Sequence, residues 1–310
     1  MTVGSMVIIK PNGSEFSIDE YQAVTEQNRY IMQYLKLTEF EQDKKSKCVF
    51  EDNRLDFFGT IPVYDGEWGK RYKDLLNCIC RKFECEKLDV HPMVTPIMYE
   101  PTVELVKLQK LFGLSEYKTD DGMLLRPASD FGVFLYMSKY DFSENELPYR
   151  TFEEAMAFRK EEKVHILKRP KIFHLPDMHS FVTESMVYAE IERLLLIYRD
   201  LFKDIKIPFV FALRITEAEY KKELGFIKHI SKCFDKEIVI NVVPDTIRYW
   251  VAKYKFLYKG SDGEFLQLAT VQVDYSSPLL FHMNHIDAII HSTPGSMERL
   301  LYALADNKEE

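Results

Sequence analysis

Along residues 69–85 apolar side chains recur at Tyr72, Leu75, Leu76, Ile79, Cys80 and Phe83, the i, i+3, i+4, i+7 spacing of a helix that turns one stripe toward a core. The same period runs through 184–202 and 217–234. Each of those segments is followed by a short apolar run, 208–215 and 237–243, which reads as a strand, so two helices are expected against a sheet. Upstream, an apolar run at Val7-Ile8-Ile9 and a turn at Pro11-Asn12-Gly13 precede a predicted helix over 17–37. Its start, Ser17 with Glu20 three residues on, has the form of a capping box. Residues 57–63 look strand-like but are interrupted by Gly59 and Pro62. The run 89–98 reads as extended, and because Pro96 cannot donate to a ladder, that strand is expected at an edge or an interface. A polar turn over 119–122 leads toward a helix over 133–139. Near the end, 248–258 is aromatic-rich and strand-like, 260–263 is a turn, and 265–275 alternates, with Gln267, Ala269, Val271 and Val273 on one face and Leu268, Thr270, Gln272 and Asp274 on the other. The segment 285–305 reads as strand, Pro-Gly turn and helix. These elements predict an α/β (α+β) fold.

Residues 157–182 form the most informative stretch. Two strand-like runs flank a basic loop that ends at Lys168-Arg169. In the second run, residues of equal parity share a face, so Phe173, Leu175, Asp177, His179 and Phe181 line one side and His174, Pro176 and Met178 the other. An aromatic ring, a carboxylate and an imidazole on one face, opposite Arg159 from the preceding strand, suit a phosphate-bearing aromatic ligand. A hairpin with a charged turn would show the same residues.

Composition narrows the class. The chain has 310 residues, a formal net charge of -8, 46% apolar and 29% charged residues, which fits a globular protein with a sizeable core. The acidic balance argues against a ligand held mainly by clustered Lys and Arg, such as a nucleic-acid duplex. The five cysteines are odd in number and lack CxxC spacing, the pattern of reduced thiols, so a cytoplasmic location is expected rather than a disulfide framework. With no apolar run of about 18 residues, no membrane span is expected.

Three ordered segments resemble the class II aminoacyl-tRNA synthetases, in detail the archaeal-type threonyl-tRNA synthetases. Val94 to Glu100, VTPIMYE, is similar to the end of motif 1 (about 70–100), which builds a dimer interface in that family. The hairpin at 150–182, with Arg159, Glu161 and the run Leu175-Pro176-Asp177-Met178-His179, resembles motif 2. The segment 285–305 resembles motif 3 and carries Arg299. The resemblance implies an antiparallel sheet flanked by helices, a catalytic domain over 66–310 and an N-terminal extension over 1–65 packed on it. It implies a homodimer that uses ATP and Mg²⁺ to activate an amino acid as its adenylate, for transfer to tRNA or to another acceptor such as a carrier protein. Arg159, Glu161 and Arg299 are the implied catalytic residues, and Arg159, Glu161, Arg169, Phe173, Gln267, Thr270 and Arg299 the implied ATP contacts. Arginine suits that task because its forked donors hold phosphate in a way that lysine does not copy.

For the amino acid the resemblance implies Asp177, Tyr249 and Gln272, and for zinc Asp130, His179 and His291. Here the sequence departs from the family, which has a metal-binding cysteine where Asp130 stands. The spacing from His291 to Arg299 is also one residue shorter than the family's. Carboxylate and imidazole are ordinary zinc ligands, and exchanging thiolate for carboxylate makes a site harder. The competing expectation is that Asp130 binds the substrate amine directly. Apolar pockets separate threonine from valine only by roughly 10²-fold, which is why the family uses a metal. Beside that family, whose members add an N-terminal editing domain and a C-terminal anticodon-binding domain, this chain is expected to correspond to the catalytic core without either. Two functions follow: an amino-acid-activating ligase, or a non-catalytic paralogue that binds or regulates.

Overall fold

A computed structural model describes residues 5–24, 29–35, 56–58, 61–85, 88–112, 116–160, 165–245 and 248–307. Ten strands make one sheet: β1 (Met6–Ile9), β2 (Glu15–Ser17), β3 (Val90–Pro92), β4 (Tyr149–Phe158), β5 (Ile172–Val182), β6 (Val210–Thr216), β7 (Ile238–Val243), β8 (Ala252–Lys259), β9 (Phe265–Asp274) and β10 (Ala288–Thr293). Across the sheet they run β2-β1-β7-β6-β8-β9-β10-β5-β4-β3. Neighbours are antiparallel except for β6 with β7 and β3 with β4. The strand after the first long helix lies at an edge of the sheet, as expected: Pro92 has no N–H to offer, Met93 N still donates to the Phe152 carbonyl at 2.8 Å, and residues 94–97 leave the ladder.

Five helices set the layers: α1 (Gly66–Cys85), α2 (Asp130–Met137), α3 (Val187–Asp204), α4 (Glu217–Phe234) and α5 (Met297–Asp306). Helices α1, α3, α4 and α5 bury their stripes in one large core, where Ile79, Leu194, Tyr198 and Ile227 meet Phe211, Phe256 and Val271 from the sheet. Met178 and Val182 of β5 point into that core. Phe181 points the other way, into a second cluster built on Phe131 and Phe134 of α2. Parity thus sorts β5 as expected, and α2 covers the face that carries Asp177 and His179.

Several local expectations need adjustment. The segment 17–37 has helical turns at Ile18–Val24 and Arg29–Tyr34, with residues 25–28 and 36–37 outside the described ones. Its capping box is formed: Glu20 N donates to Ser17 Oγ at 3.3 Å and Ser17 N to a Glu20 carboxylate oxygen at 2.8 Å. The aromatic run 248–258 enters the sheet only at Ala252. Before that, Tyr249 and Trp250 pack with Leu111 and Phe112, and Tyr249 stacks on Phe112 at 4.2 Å. Packing against the Val103–Phe112 helix takes those rings out of the strand. The apolar stripe of α1 is also used within the chain, since Leu75, Ile79 and Phe83 are buried in the large core.

Candidate active site

Antiparallel register makes a straight row across four strands. Lys253 of β8 pairs with Gln272 of β9, Gln272 with His291 of β10, and His291 with His179 of β5. Residues paired across neighbouring strands project to the same face. At the imidazole end of this row α2 begins, and its first residue, Asp130, is buried. Asp130 Oδ1 lies 2.7 Å from His291 Nδ1 and 3.4 Å from His179 Nε2. His291 Nε2 lies 3.0 Å from Asp274 Oδ2. Asp274 itself is fixed by the backbone N–H groups of Ser276 and Ser277 and by the Ser277 hydroxyl. Phe134 closes the group from the apolar side, edge-on to both imidazoles.

A cavity of about 280 Å³ opens on this row and extends toward the arginines. Asp177 lines it and accepts a hydrogen bond from Ser129 Oγ at 2.6 Å. Tyr249 donates its hydroxyl to Gln272 at 2.7 Å, so two of the expected amino-acid contacts are tied to each other. At the other end Arg159 donates to the Pro127 carbonyl at 3.0 Å and lies over the Phe173 ring at 4.9 Å. Arg299, in the first turn of α5, donates to the carbonyls of Lys168 at 2.7 Å and Gln267 at 3.2 Å. Gly295 permits that approach: its φ is +115°, and a Cβ there would sit 3.1 Å from the Leu268 backbone. Arg169 is exposed and lines the same cavity. Glu161 lies outside the described residues.

Gln267 shares the cavity with Thr270 and Gln272, which simple alternation denied. Between Lys255 and Leu257 the register of β8 against β9 shifts, pairing Lys255 with Thr270 but Leu257 with Gln267. Two steps on β8 face three on β9, and the extra residue reverses the parity of Gln267.

With this geometry in place, the sequence comparison is decisive: residues 112–308 match the tRNA synthetase class II core domain (G, H, P, S and T). The chain belongs to this family. Similar curated proteins include the threonine–tRNA ligase of Methanosphaerula palustris, 30% identical over 70% of this chain and 38% of the relative. That of Methanococcoides burtonii is 28% identical over 87% of this chain and 48% of the relative. The chain therefore spans less than half the length of these relatives. Among solved structures, the RNA binding domain of threonyl-tRNA synthetase from Cryptosporidium parvum Iowa II has a TM-score of 0.64 at 17% identity, covering 78% of this chain and 65% of that one. A Giardia lamblia prolyl-tRNA synthetase in complex with prolyl-adenylate has a TM-score of 0.58 at 18% identity, covering 76% and 47%. At such identities these structures speak for the fold, an antiparallel-dominated sheet flanked by helices.

The donor set of this synthetase core fits a divalent metal. One ligand atom each from Asp130, His179 and His291 lies within 4.8 Å of the others, and all three residues are buried. Asp130 Oδ1 lies within ion-pair distance of both imidazoles, and His179 Nε2 makes no hydrogen bond among the described residues, which is costly for a buried group unless a cation takes it. Electrostatics point the same way, because Asp130, Asp177 and Asp274 surround only two imidazoles. Burial opposes charge on His291, yet Asp130 and Asp274 outweigh it and push its pKa up to about 10. Burial, helped by the Asp130 charge, raises Asp177 to about 6. The Asp274 contact to His291 Nε2 leaves Nδ1 for a metal, the usual arrangement of a carboxylate behind a ligating histidine.

Sequence reasoning missed Lys253. Burial first, then Lys255 and the arginines at 159, 214 and 299, bring its ammonium down to about 7. The signal was there: Lys253 and Lys255 alternate with Ala252, Tyr254 and Phe256, placing two cations on one face of an interior strand. It also missed the frame beneath the site. Fully buried Arg126 donates to Glu153 at 2.8 Å, and Thr95 Oγ1 donates to the same carboxylate at 2.8 Å. That network ties the loop leading to Asp130 onto β4. Arg150 and Glu190 make a second buried pair through two bonds of 2.7 Å.

Proposed function

We propose that this chain uses ATP and Mg²⁺ to activate an amino acid with a donor on its β-carbon, threonine, serine or a relative, as the aminoacyl-adenylate, and passes it to tRNA or to a carrier protein. One observation carries the reading: a single cavity is lined both by the cations Arg159, Arg169, Lys253 and Arg299 and by Asp130 and His291, behind which His179 completes the buried ligand group. In the reaction a substrate carboxylate oxygen attacks the α-phosphorus, the bond to the bridging oxygen breaks, and pyrophosphate leaves. Negative charge grows on the phosphate oxygens. Fixed guanidinium groups stabilise it at little reorganisation cost, and Arg159, braced by the Pro127 carbonyl, is assigned to the α-phosphate. Arg299 and Arg169 are assigned to the leaving group, Phe173 with Arg299 to the adenine, and Gln267 and Thr270 to the nucleotide's border.

Asp177, Gln272 and Tyr249 would receive the amino acid, with Asp177 toward its amine. Asp130, His179 and His291 would hold a divalent ion such as zinc, which supplies a Lewis acid for the amine and the β-substituent. Residues 66–310 form the catalytic unit in this reading, and 1–65 an extension on it. A homodimer is part of the proposal, built on the segment after β3, where Val94 is 97% exposed and Ile97, Met98, Val103 and Val106 are also exposed. Calorimetry with non-hydrolysable sulfamoyl analogues of threonyl- and valyl-adenylate tests the pocket. The threonyl analogue is expected to bind more tightly; equal affinity contradicts the β-donor assignment, and no binding of either favours a non-catalytic paralogue.

A further inference from the structure

Helices α3 and α4 touch at a second cluster of metal-ligating side chains, none of which lines the cavity. His229 and Cys233 are four residues apart on α4 and so share one face. Glu192 reaches them from α3. Glu192 Oε1 lies 2.9 Å from His229 Nε2 and 3.8 Å from Cys233 Sγ, and Sγ lies 3.4 Å from His229 Nε2. We propose that Glu192, His229 and Cys233 bind one zinc ion, which cross-links α3 to α4 at the protein surface.

The triangle has the right size. Tetrahedral angles with ordinary Zn–O, Zn–N and Zn–S bond lengths separate neighbouring ligand atoms by about 3.3–3.6 Å. The observed edges bracket that range, so shifts of about half an ångström close the site. An ion pair between His229 and Glu192 explains the shortest edge alone. It leaves the thiol with only long contacts, 3.4 Å to His229 and 3.8 Å to Glu192, whereas zinc uses all three. Oxygen, nitrogen and sulfur together suit a borderline-soft ion, and a thiolate ligand disfavours magnesium and calcium. The His229 side chain is 49% exposed, so water can reach a fourth position.

Burial, and then the Glu192 carboxylate, raise the Cys233 thiol pKa, so the metal-free thiol carries its proton at neutral pH. Zinc binding forms the Zn–S bond as that proton leaves to solvent, and His229 binds as neutral imidazole. The Cys233 carbonyl is already held to α3 by Arg199 Nη1 at 3.0 Å, so the helices meet without large movement. Because α3 packs on β9 and β10 and α4 on β6 and β7, the ion would join the helices behind two parts of the sheet.

Cobalt substitution tests the site, since the group around Asp130 contains no sulfur. Titrating the metal-free 310-residue chain with Co²⁺ should give a near-ultraviolet thiolate-to-cobalt band that saturates by two equivalents in wild type, the second ion going to the Asp130 group, and at one equivalent in Asp130→Asn. The band should persist in Asp130→Asn and vanish in Cys233→Ser and in Cys233→Ala, each checked for folding by circular dichroism. His229→Gln should weaken Co²⁺ binding at this band. Absence of the band from folded wild-type protein, or its survival in Cys233→Ser, overturns the proposal.

Discussion

Oδ1 of Asp130 lies 2.7 Å from Nδ1 of His291, at the meeting point of the first turn of α2 and the middle of β10. This contact joins a residue of one loop-to-helix segment to a strand about half the chain away. In the proposed metal site it sets the ligand chemistry. A carboxylate with two imidazoles is a harder set than a thiolate with two, and more tolerant of other divalent ions. In a Cys233→Ser background, which removes the thiol cluster, metal analysis should find about one equivalent of divalent metal, lost in His291→Ala. Asp130→Cys should bind zinc more tightly without raising activity toward valine. Well under one equivalent with undiminished activity would instead leave Asp130 as the amine ligand.

The frame under the site should matter for stability. Arg126 and Glu153 are both buried and bonded at 2.8 Å, so Glu153→Ala would strand a buried guanidinium. Breaking such a pair costs about 3–5 kcal/mol. Chemical denaturation should show a loss of that order, while a loss near zero would mean that the pair is not what holds the 126–130 loop.

A buried carboxyl should give the protein a pH-dependent stability unrelated to catalysis. Burial and then the Glu219 charge raise Glu223 from its ordinary 4.5 to about 9, and both of its oxygens lack hydrogen-bond partners among the described residues. The folded carboxyl keeps a proton that the unfolded one has lost, so stability falls as pH rises from about 4.5 to about 9. The slope is about 1.4 kcal/mol per pH unit. Glu223→Gln should flatten this dependence, and its melting temperature should gain on wild type more at pH 8 than at pH 5. Parallel profiles would contradict the assignment.

Sedimentation tests the homodimer. Wild type should sediment as a dimer at micromolar concentration, and Val94→Asp together with Ile97→Asp should shift it to monomer. A wild-type monomer rejects the interface.

Much of this was readable where one local pattern governs. The helix over 217–234 and the strand face of Asp177 and His179 follow from period alone, and the agreement of three ordered segments with one family set the architecture. What stayed hidden depends on pairing between distant positions. The extra residue in β9 that turned Gln267 into the cavity exists only against β8. Arg126 with Glu153 and Arg150 with Glu190 lie 27 and 40 residues apart, and no periodicity joins them. Lys253 escaped because its strand's place in the sheet interior is set by pairing with strands far along the chain. The metal-ligand triangle on α3 and α4 escaped for a similar reason, since its third member comes from another helix.

The central claim is adenylate formation, and amino-acid-dependent ATP–pyrophosphate exchange by the full chain measures it directly. Threonine, serine or a β-substituted relative should support exchange, valine should not, and Arg159→Ala should lower the rate by about 10²–10³-fold, as removal of a transition-state charge donor does. Exchange with no amino acid, despite retained ATP binding, or a wild-type rate in Arg159→Ala, would contradict the account.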